Sequence, residues 1–276
     1  MKKMFVAIVV MCAATVVAQE PPKKAKPIKV LLVTGGCCHD YKFQTNAMKN
    51  FAEDRKINIE WTVVNDGGTG TAAQISLYDK ADWAKGFDVV VHNECFATTT
   101  DPAYIRRITG AHKSGVNAVV IHCAMHTYRD AKIDDWRELL GVTSRRHDHQ
   151  ARYPVKVETP NHPIMKGFPK GYKSAMDELY IIEKLWPNAK VLATSPSERD
   201  GKLHPVFWTN RYGKARVFGT TYGHSTATFQ DEVFLTALTR GIRWAAGRLP
   251  EKADASAGKT KVGQGSDVKT PVKSAR

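Results

Sequence analysis

Three apolar runs in the first half of the chain have the length and composition of buried β-strands. Each is rich in Val, Ile or Leu with little polar alternation, which is typical of a strand covered on both faces in a parallel sheet. They are Ile28–Thr34, Phe87–Val91 and Val116–Ile121, and Ile57–Val64 completes a set of four strands. Helices are predicted between them, over Tyr41–Arg55 and from Asp101-Pro102 to Ser114-Gly115. This alternation predicts an α/β fold with a doubly wound, mainly parallel sheet.

The second half of the chain has a different pattern. Arg152–Thr159 alternates like a strand, and Asp177–Tyr180 leads into another. Val206–Asn210 and Ala215–Thr220 flank a Gly-containing turn and predict an antiparallel hairpin added to the sheet. Phe229–Arg248 has the periodicity of a long amphipathic helix, which Gly247 and Pro250 would end.

Titratable side chains follow two of the predicted strands directly. Phe87–Val91 runs into His92, Asn93, Glu94 and Cys95, and Val116–Ile121 runs into His122 and Cys123. In open parallel sheets, ligands bind outside the carboxyl ends of the strands. The sequence therefore predicts that a functional site lies at this edge of the sheet.

The two ends of the chain differ in composition from the region between them. Residues 1–18 have a basic start at Lys2 and Lys3, an apolar stretch and a small-residue cleavage site, which predicts a signal peptide and a secreted or periplasmic protein. Residues 19–27 are predicted to be a linker and residues 250–276 a disordered tail. Residues 28–249 are predicted to form one domain, with no membrane insertion.

The net charge of +14 is concentrated at the ends of the chain. Because residues 1–29 contribute +5 and residues 251–276 contribute +3, the region between them carries only +6. Its basic residues are scattered, and no basic helix or zinc-finger spacing is present. Nucleic-acid binding is therefore not expected.

Four cysteines follow predicted strands and would meet at one edge if the strand order is flavodoxin-like. They are Cys37, Cys38, Cys95 and Cys123. An oxidising compartment would permit a bridge such as Cys38–Cys95, whereas a bridge between Cys37 and Cys38 would be strained. Free buried thiols are an equal alternative. No CxxC pair is present, so a structural zinc site built from cysteines is not expected.

Several motifs in the chain are similar to those of a known family. In order, they are Thr34-Gly35-Gly36, Val120-Ile121-His122, His147-Asp148-His149, Asp177-Glu178-Leu179-Tyr180, Gly219-Thr220-Thr221-Tyr222-Gly223-His224 and Gly241-Ile242-Arg243-Trp244-Ala245-Ala246-Gly247-Arg248-Leu249. Together they resemble the trehalose-utilisation (ThuA-like) family over most of residues 28–249. The resemblance implies a class I glutamine-amidotransferase-like, flavodoxin-like fold and a role in sugar metabolism.

The motifs shared with this family supply the predicted catalytic residues, His122, His149, His224 and Glu178. The same four would be the ligands if a divalent cation binds, since imidazoles with a carboxylate can hold one. No HExxH pattern is present, so the sequence leaves the metal open. Residues predicted to contact a sugar share a position near these motifs or strand ends. They are His39, Asn93, Glu94, Tyr128, Tyr180, Trp208 and Tyr222.

The leading functional hypothesis is an exported enzyme that acts on a glycoside or keto-sugar, with His122 and His224 as base and acid. Glu178 and His149 would orient them or hold a metal. A ketone acidifies the neighbouring C–H bond, so a placed base could start isomerisation or elimination. One alternative is a non-catalytic carbohydrate-binding accessory protein, and another is an amide hydrolase using Cys123. Ile121 and Met125 stand where such a nucleophile turn would need glycines, so Cys123 is expected to be a packing residue. Homo-oligomerisation is left open.

Overall fold

The computed structural model describes residues 26–249, and the predicted signal peptide, most of the linker and the predicted tail lie outside them. Four parallel strands are confirmed, with helices where the first half of the sequence predicts them. The elements of this half, in chain order, are β1 (Ile28–Gly36), α1 (Tyr41–Asp54), β2 (Ile59–Asn65), β3 (Val89–Cys95), α2 (Pro102–Ser114) and β4 (Asn117–Ile121).

The second half forms the rest of the large sheet and a separate small one. Its elements are α3 (Asp135–Leu140), β5 (Val142–Ala151), β6 (Lys156–Val157), β7 (Asp177–Leu185), β8 (Lys190–Pro196), β9 (Leu203–Tyr212), β10 (Ala215–Thr220) and α4 (Glu232–Ala245). The large sheet has the order β2-β1-β3-β4-β10-β9-β8-β6, in which the first five strands are parallel. The antiparallel β9–β10 hairpin is confirmed, and β8 and β6 extend it.

Alternation of side chains along the parallel strands divides the core into two layers. Val30 and Leu32 of β1 pack in the layer that contains α1 and α4, whereas Leu31 and Val33 pack in the layer that contains α2 and α3. Because both faces are covered, these strands are apolar at successive positions. This explains why their sequence shows no period-two pattern.

The small sheet consists of β5 and β7, and two backbone amides of β7 donate hydrogen bonds that join it to the large sheet. The amide of Tyr180 donates to Thr221 Oγ1 over 2.9 Å, and the amide of Ile182 donates to His204 Nδ1 over 3.0 Å. Strand β7 thereby brings Glu178 to the carboxyl ends of β4 and β10.

Three features of the second half differ from the sequence-based expectation. The strand predicted over Arg152–Thr159 is reduced to Lys156–Val157 and an isolated bridge at Pro154. The last helix begins at Glu232, where the Asp231 side chain caps it, rather than at Phe229. Strands β5 and β8 and helix α3 were not predicted. Within residues 26–249, strand β5 pairs only with β7, and it has exposed positions along its centre. Its sequence is therefore too polar to indicate a core strand.

Two helical glycines occupy different surroundings. Gly241 of α4 packs directly on the sheet, where a Cβ atom would lie 2.1 Å from the ring of Phe218. Gly110 of α2 is exposed, and a Cβ atom there would have no neighbour within 4 Å. The close approach of α4 to β10 therefore depends on the missing side chain at Gly241.

Among the described residues, no helix is both long enough and apolar enough to cross a membrane.

Candidate functional site

Three histidines from loops that follow parallel strands form a cluster. His39 follows β1, His122 follows β4 and His224 follows β10. The ring centroids are 5.0 Å apart for His39 and His122, 4.9 Å for His39 and His224, and 5.5 Å for His122 and His224. The carboxyl ends of these strands meet at one edge of the sheet, which is where α/β folds build ligand sites.

The backbone at β4 is bent sharply to present His122. This residue has a φ of 44°, in the left-handed region that side-chain-bearing residues rarely occupy. Gly223 lies against the turn, where a Cβ atom would be 2.8 Å from Ile121 Cγ2 and 3.0 Å from His122 Cβ. The glycine therefore permits the loop that carries His224 to approach the loop that carries His122.

Backbone carbonyls determine which nitrogen of two rings carries the proton. His122 Nδ1 lies 2.6 Å from the carbonyl oxygen of Thr221, and His39 Nδ1 lies 3.1 Å from that of His224. Because a carbonyl only accepts, each Nδ1 donates and each Nε2 keeps a lone pair. His39 Nε2 is buried and has no hydrogen-bond partner among the described residues. An unsatisfied lone pair of this kind is suited to a ligand or a proton.

A single carboxylate oxygen contacts the cluster from the small sheet. Glu178 Oε2 lies 3.3 Å from His224 Nδ1 and 3.6 Å from His122 Nε2. It also lies 3.6 Å from His147 Nδ1, on the neighbouring strand β5. The side chains of His224 and Glu178 are 23% and 11% exposed, so solvent reaches the cluster from this side.

Asp177 holds the loop that carries His224. Its carboxylate accepts hydrogen bonds from the amides of Gly223 at 3.0 Å and His224 at 3.2 Å, and from the hydroxyl of Thr228. Burial, partly offset by these bonds, raises the pKa of Asp177 to about 6. The buried Asp177 side chain therefore positions the loop that carries His224 and does not itself offer an exposed group to a ligand.

Burial and neighbouring charges shift the pKa values of the three rings in different directions. Burial, followed by repulsion from His224, lowers the pKa of His39 to about 4. Burial, followed by repulsion from His39, lowers the pKa of His122 well below 6.5. Interaction with Glu178 raises the pKa of His224 above 6.5 despite partial burial. His224 is therefore the ring of the cluster that takes up a proton most readily.

Opposing effects act on the pKa of Glu178. Burial alone would raise it, but interactions with His224 and His147 outweigh burial and hold the pKa below 4.5. The carboxylate is therefore charged at neutral pH, next to the ring whose protonated form it stabilises.

The donor atoms of the three histidines also fit a metal ion. One ring nitrogen from each of His39, His122 and His224 lies within 4.8 Å of the other two. Carbonyl contacts at the other nitrogen of His39 and His122 are the usual outer support of ligating histidines. His149 was predicted as a possible metal ligand, and His39 was predicted only to contact the substrate. In the structure His39, rather than His149, joins His122 and His224 in the possible ligand set.

The structure does not bring His149 to the cluster. Its ring is 57% exposed and contacts Asp148 at 3.0 Å and Glu198 at 3.3 Å. The pairing of β5 with β7 is irregular between His147 and Gln150, so the expected alternation of faces is broken there. His147 contacts Glu178 instead, and Gln150 Nε2 lies 2.9 Å from His224 Nε2.

Asp148, between these histidines, ties β5 to the turn after β8. It accepts hydrogen bonds from Ser197 Oγ at 2.7 Å, the Arg199 amide at 3.0 Å and the His149 amide at 2.9 Å. Burial alone would raise the pKa of Asp148, but these bonds and one from the His149 ring outweigh burial and lower it to about 2.

We expect Asp148→Asn to reduce the free energy of unfolding by about 2 kcal/mol at pH 7. Because the folded-state pKa lies below the unfolded value of 3.8, this stabilisation is present above that value and is lost as the pH falls toward about 2. Urea unfolding of both proteins between pH 7 and pH 2 measures the difference. The exposed Asp130→Asn is the control, and a difference for Asp148→Asn that does not change with pH would contradict the assignment.

The other predicted contact residues lie at different depths. Tyr180 reaches the cluster, since its hydroxyl is 3.2 Å from His122 Nε2 and its ring stacks on His126 at 4.0 Å. Asn93 acts one step away, by donating to Gln44, which in turn donates to the Gly223 carbonyl. Sequence reasoning did not identify His147, Gln150, Gln44 or Asp177. Of these four, only His147 and Asp177 could have been found from the sequence, because they belong to the His147–His149 and Asp177–Tyr180 motifs.

Four predicted contact residues are buried in the core and are not brought to the cluster. Trp208 Nε1 donates to the Leu140 carbonyl, and the Tyr222 hydroxyl bonds to Ser195. Tyr128 packs in the layer of α2 and α3. The Glu94 carboxylate contacts His92 Nδ1 at 2.8 Å, and His92 Nε2 lies 3.0 Å from His112 Nε2. His112 is fully buried, and its Nδ1 lies 2.7 Å from the Val116 carbonyl oxygen, so its role is structural.

The cysteines pair as Cys37–Cys38 and Cys95–Cys123, which differs from the Cys38–Cys95 bridge considered from the sequence. Cys123 therefore has no free thiol in this form. A nucleophilic attack by Cys123 would require the disulfide to be opened first.

A doubly wound sheet with a histidine and carboxylate cluster at its strand ends defines a flavodoxin-like α/β protein with a polar strand-end site. A family comparison agrees with this class. The chain belongs to the ThuA family, described as trehalose utilisation, and the match covers residues 29–245. No curated protein matches the sequence.

Solved structures share the fold at low sequence identity. A ThuA-like protein from Parabacteroides merdae is 22% identical, with a TM-score of 0.64 over 82% of this chain and 93% of that chain. A ThuA-like protein from Bacteroides uniformis is 15% identical, with a TM-score of 0.61 over 82% and 95%. The cytoplasmic protein STM3548 from Salmonella typhimurium is 12% identical, with a TM-score of 0.54 over 78% and 98%. These similarities establish the flavodoxin-like fold.

Proposed function

We propose that this ThuA-family chain is an enzyme that acts on a glycoside or keto-sugar by acid–base chemistry at the histidine cluster. The observation that carries the proposal is that His122 Nε2 and His224 Nδ1 both lie within 3.6 Å of the same carboxylate oxygen, Glu178 Oε2. The family description, trehalose utilisation, supports a sugar as the substrate class. The expected export, which depends on residues 1–18, would place the reaction outside the cytoplasm.

In the proposed reaction, His122 is the base. Its Nδ1–H donates to the Thr221 carbonyl, so the lone pair of Nε2 is directed to the cluster. This nitrogen accepts the proton from the carbon next to the ketone of a keto-glycoside, and the ketone oxygen develops the negative charge. The Tyr180 hydroxyl, 3.2 Å from the same nitrogen, donates to this lone pair until the substrate displaces it.

His224 is the proposed acid. Its ring contacts Glu178, which stabilises the protonated form, and Gln150 contacts the other nitrogen. A proton delivered from His224 to the leaving oxygen would complete an elimination, and delivery to the neighbouring carbon would complete an isomerisation. His147 contacts Glu178 from the outer side and helps to orient the carboxylate.

A second candidate uses the same cluster to hold a divalent cation. The close approach of one nitrogen from each of His39, His122 and His224 favours it, as does the unpartnered Nε2 of His39. Three imidazoles are a common ligand set for zinc in catalytic sites. A bound cation would supply charge stabilisation for the developing enolate oxygen. One equivalent of metal in the purified chain would support this candidate, and an active metal-free chain would exclude it.

The experiment that tests the proposed function compares keto-glycosides with their parent glycosides. We expect the chain to convert the keto-glycoside and to leave the parent unchanged, because only the ketone makes the neighbouring proton removable. Product analysis by mass spectrometry in heavy water distinguishes the two reactions: isomerisation should place solvent deuterium on the carbon that receives the returned proton, whereas elimination should give an unsaturated product that has lost the proton next to the ketone. Binding measured by calorimetry without any conversion would contradict the enzyme and favour a carbohydrate-binding accessory protein.

A further inference from the structure

The four described cysteines form a continuous group beside the histidine cluster. Cys37 and Cys38 follow β1, Cys95 ends β3 and Cys123 follows β4, and these three strands are neighbours in the sheet. The two disulfides are in contact, since Cys37 Sγ lies 3.6 Å from Cys95 Sγ. This is close to the separation at which one sulfur can attack another.

The two disulfides differ in their access to solvent. Cys38 is exposed and Cys37 half-buried, whereas Cys95 and Cys123 are only 3% and 6% exposed. Cys37, Cys95 and Cys123 share a small apolar cluster with Tyr41. A thiol from solution therefore meets Cys38 first and has no direct path to the buried pair.

We propose that these cysteines form a thiol–disulfide relay, which carries two electrons from an external dithiol through Cys37–Cys38 to Cys95–Cys123. The relay is a further activity, independent of the proposed sugar chemistry. Its partner is a small molecule or protein that offers two thiols which can close to a disulfide.

In the first stage, the external thiolate attacks Cys38 Sγ, and Cys37 leaves as a thiolate. The second thiol of the reductant then attacks its own sulfur in the mixed disulfide. The reductant departs as a disulfide, and Cys38 is left as a thiol. The surface pair has now been reduced, and the dithiol has been oxidised by the same two electrons.

In the second stage, the Cys37 thiolate attacks Cys95 Sγ, the Cys95–Cys123 bond breaks, and Cys123 leaves as a thiolate that takes up a proton. The Cys38 thiol then attacks Cys37 Sγ, re-forms Cys37–Cys38 and releases Cys95 as a thiol. The net change is one dithiol oxidised and Cys95–Cys123 reduced. The relay ends at Cys123, directly after His122.

The test follows the opening of the buried disulfide in the native full chain treated with dithiothreitol. Samples are acid-quenched, alkylated and mapped by mass spectrometry over time. We expect Cys37→Ser/Cys38→Ser to open Cys95–Cys123 about tenfold or more slowly than the wild type, because the relaying sulfurs are gone. In denaturant the proteins should react at the same rate. Equal rates in the native proteins would overturn the relay.

Two single variants form a matched pair. Cys38→Ser removes the surface disulfide but keeps the Cys37 thiol, 3.6 Å from Cys95, so the buried pair should still open rapidly. Cys37→Ser removes the same disulfide and the relaying sulfur, so opening should be as slow as in the double variant. Slow opening in Cys38→Ser would overturn the role of Cys37. If a variant does not fold, the wild type treated with one equivalent of dithiothreitol still decides: the relay should leave Cys95 and Cys123 as thiols and Cys37–Cys38 as a disulfide, and thiols confined to Cys37 and Cys38 would overturn it.

Discussion

Replacing His122 with alanine is expected to lower the turnover of a keto-glycoside by about 10²–10⁴-fold, the usual contribution of a placed general base. The substitution removes the Nε2 lone pair that faces Glu178 and Tyr180. His149→Ala is the matched control, because this ring is 57% exposed and lies outside the cluster. Its turnover should stay close to that of the wild type. Circular dichroism and thermal unfolding would check that both variants fold.

The same experiment separates the two candidates for the cluster when His39→Ala is added. If a cation is required, His39→Ala should lose both bound metal and turnover, as His122→Ala does. If His122 and His224 act alone, His39→Ala should keep most of its turnover, since its Nε2 contacts no other described hydrogen-bonding group. Unchanged turnover in His122→Ala, with folding intact, would refute the proposed chemistry in both forms.

Gly241→Ala is expected to destabilise the protein by about 3 kcal/mol, although alanine is the better helix former. The added methyl group would lie 2.1 Å from Cδ1 and 2.4 Å from Cε1 of the buried Phe218 ring. Relief requires either a shift of α4 away from β10 or a rearrangement of the core. Denaturant unfolding of the variant and the wild type measures the change in the free energy of unfolding.

Gly110→Ala makes the same chemical change in the middle of α2, on the exposed side of the helix. No atom lies within 4 Å of the added methyl group, so only the helix propensity changes. We expect an increase in stability of up to about 1 kcal/mol. An increase in the free energy of unfolding for both Gly241→Ala and Gly110→Ala would contradict the close packing of α4 on the sheet.

The sequence predicts the parallel half of the fold well because its strands are covered on both faces. Val/Ile-rich runs such as β3 and β4 are typical of strands buried on both faces, and the Asp101-Pro102 start of α2 is a local signal. Strand β5 could not be predicted in the same way. Its Arg145–Gln150 segment is polar because it faces solvent and Glu178 rather than a core.

Part of the candidate site could be predicted because several of its residues lie in motifs near strand ends. His122, His224 and Glu178 lie in motifs at strand ends, and the topology brings them together. The choice of His149 came from the family resemblance of the His147–His149 motif, since β5 itself was not predicted, and the irregular pairing near Gln150 leaves His147 rather than His149 in contact with Glu178. The place of His39 depends on the loop after β1 folding back toward His224, a tertiary contact that no local pattern encodes.

The division of the site between two sheets has a consequence for how its selectivity can change. The imidazoles of His39, His122 and His224 lie in loops that follow strands of the large sheet, and Asp177 of β7 holds the loop that carries His224. His147 and Gln150, on the opposite side of the cluster, belong to β5 of the small sheet and are exposed there. Substitutions at these exposed positions of β5 can therefore change what contacts the cluster while the nitrogen atoms on the large sheet keep their places.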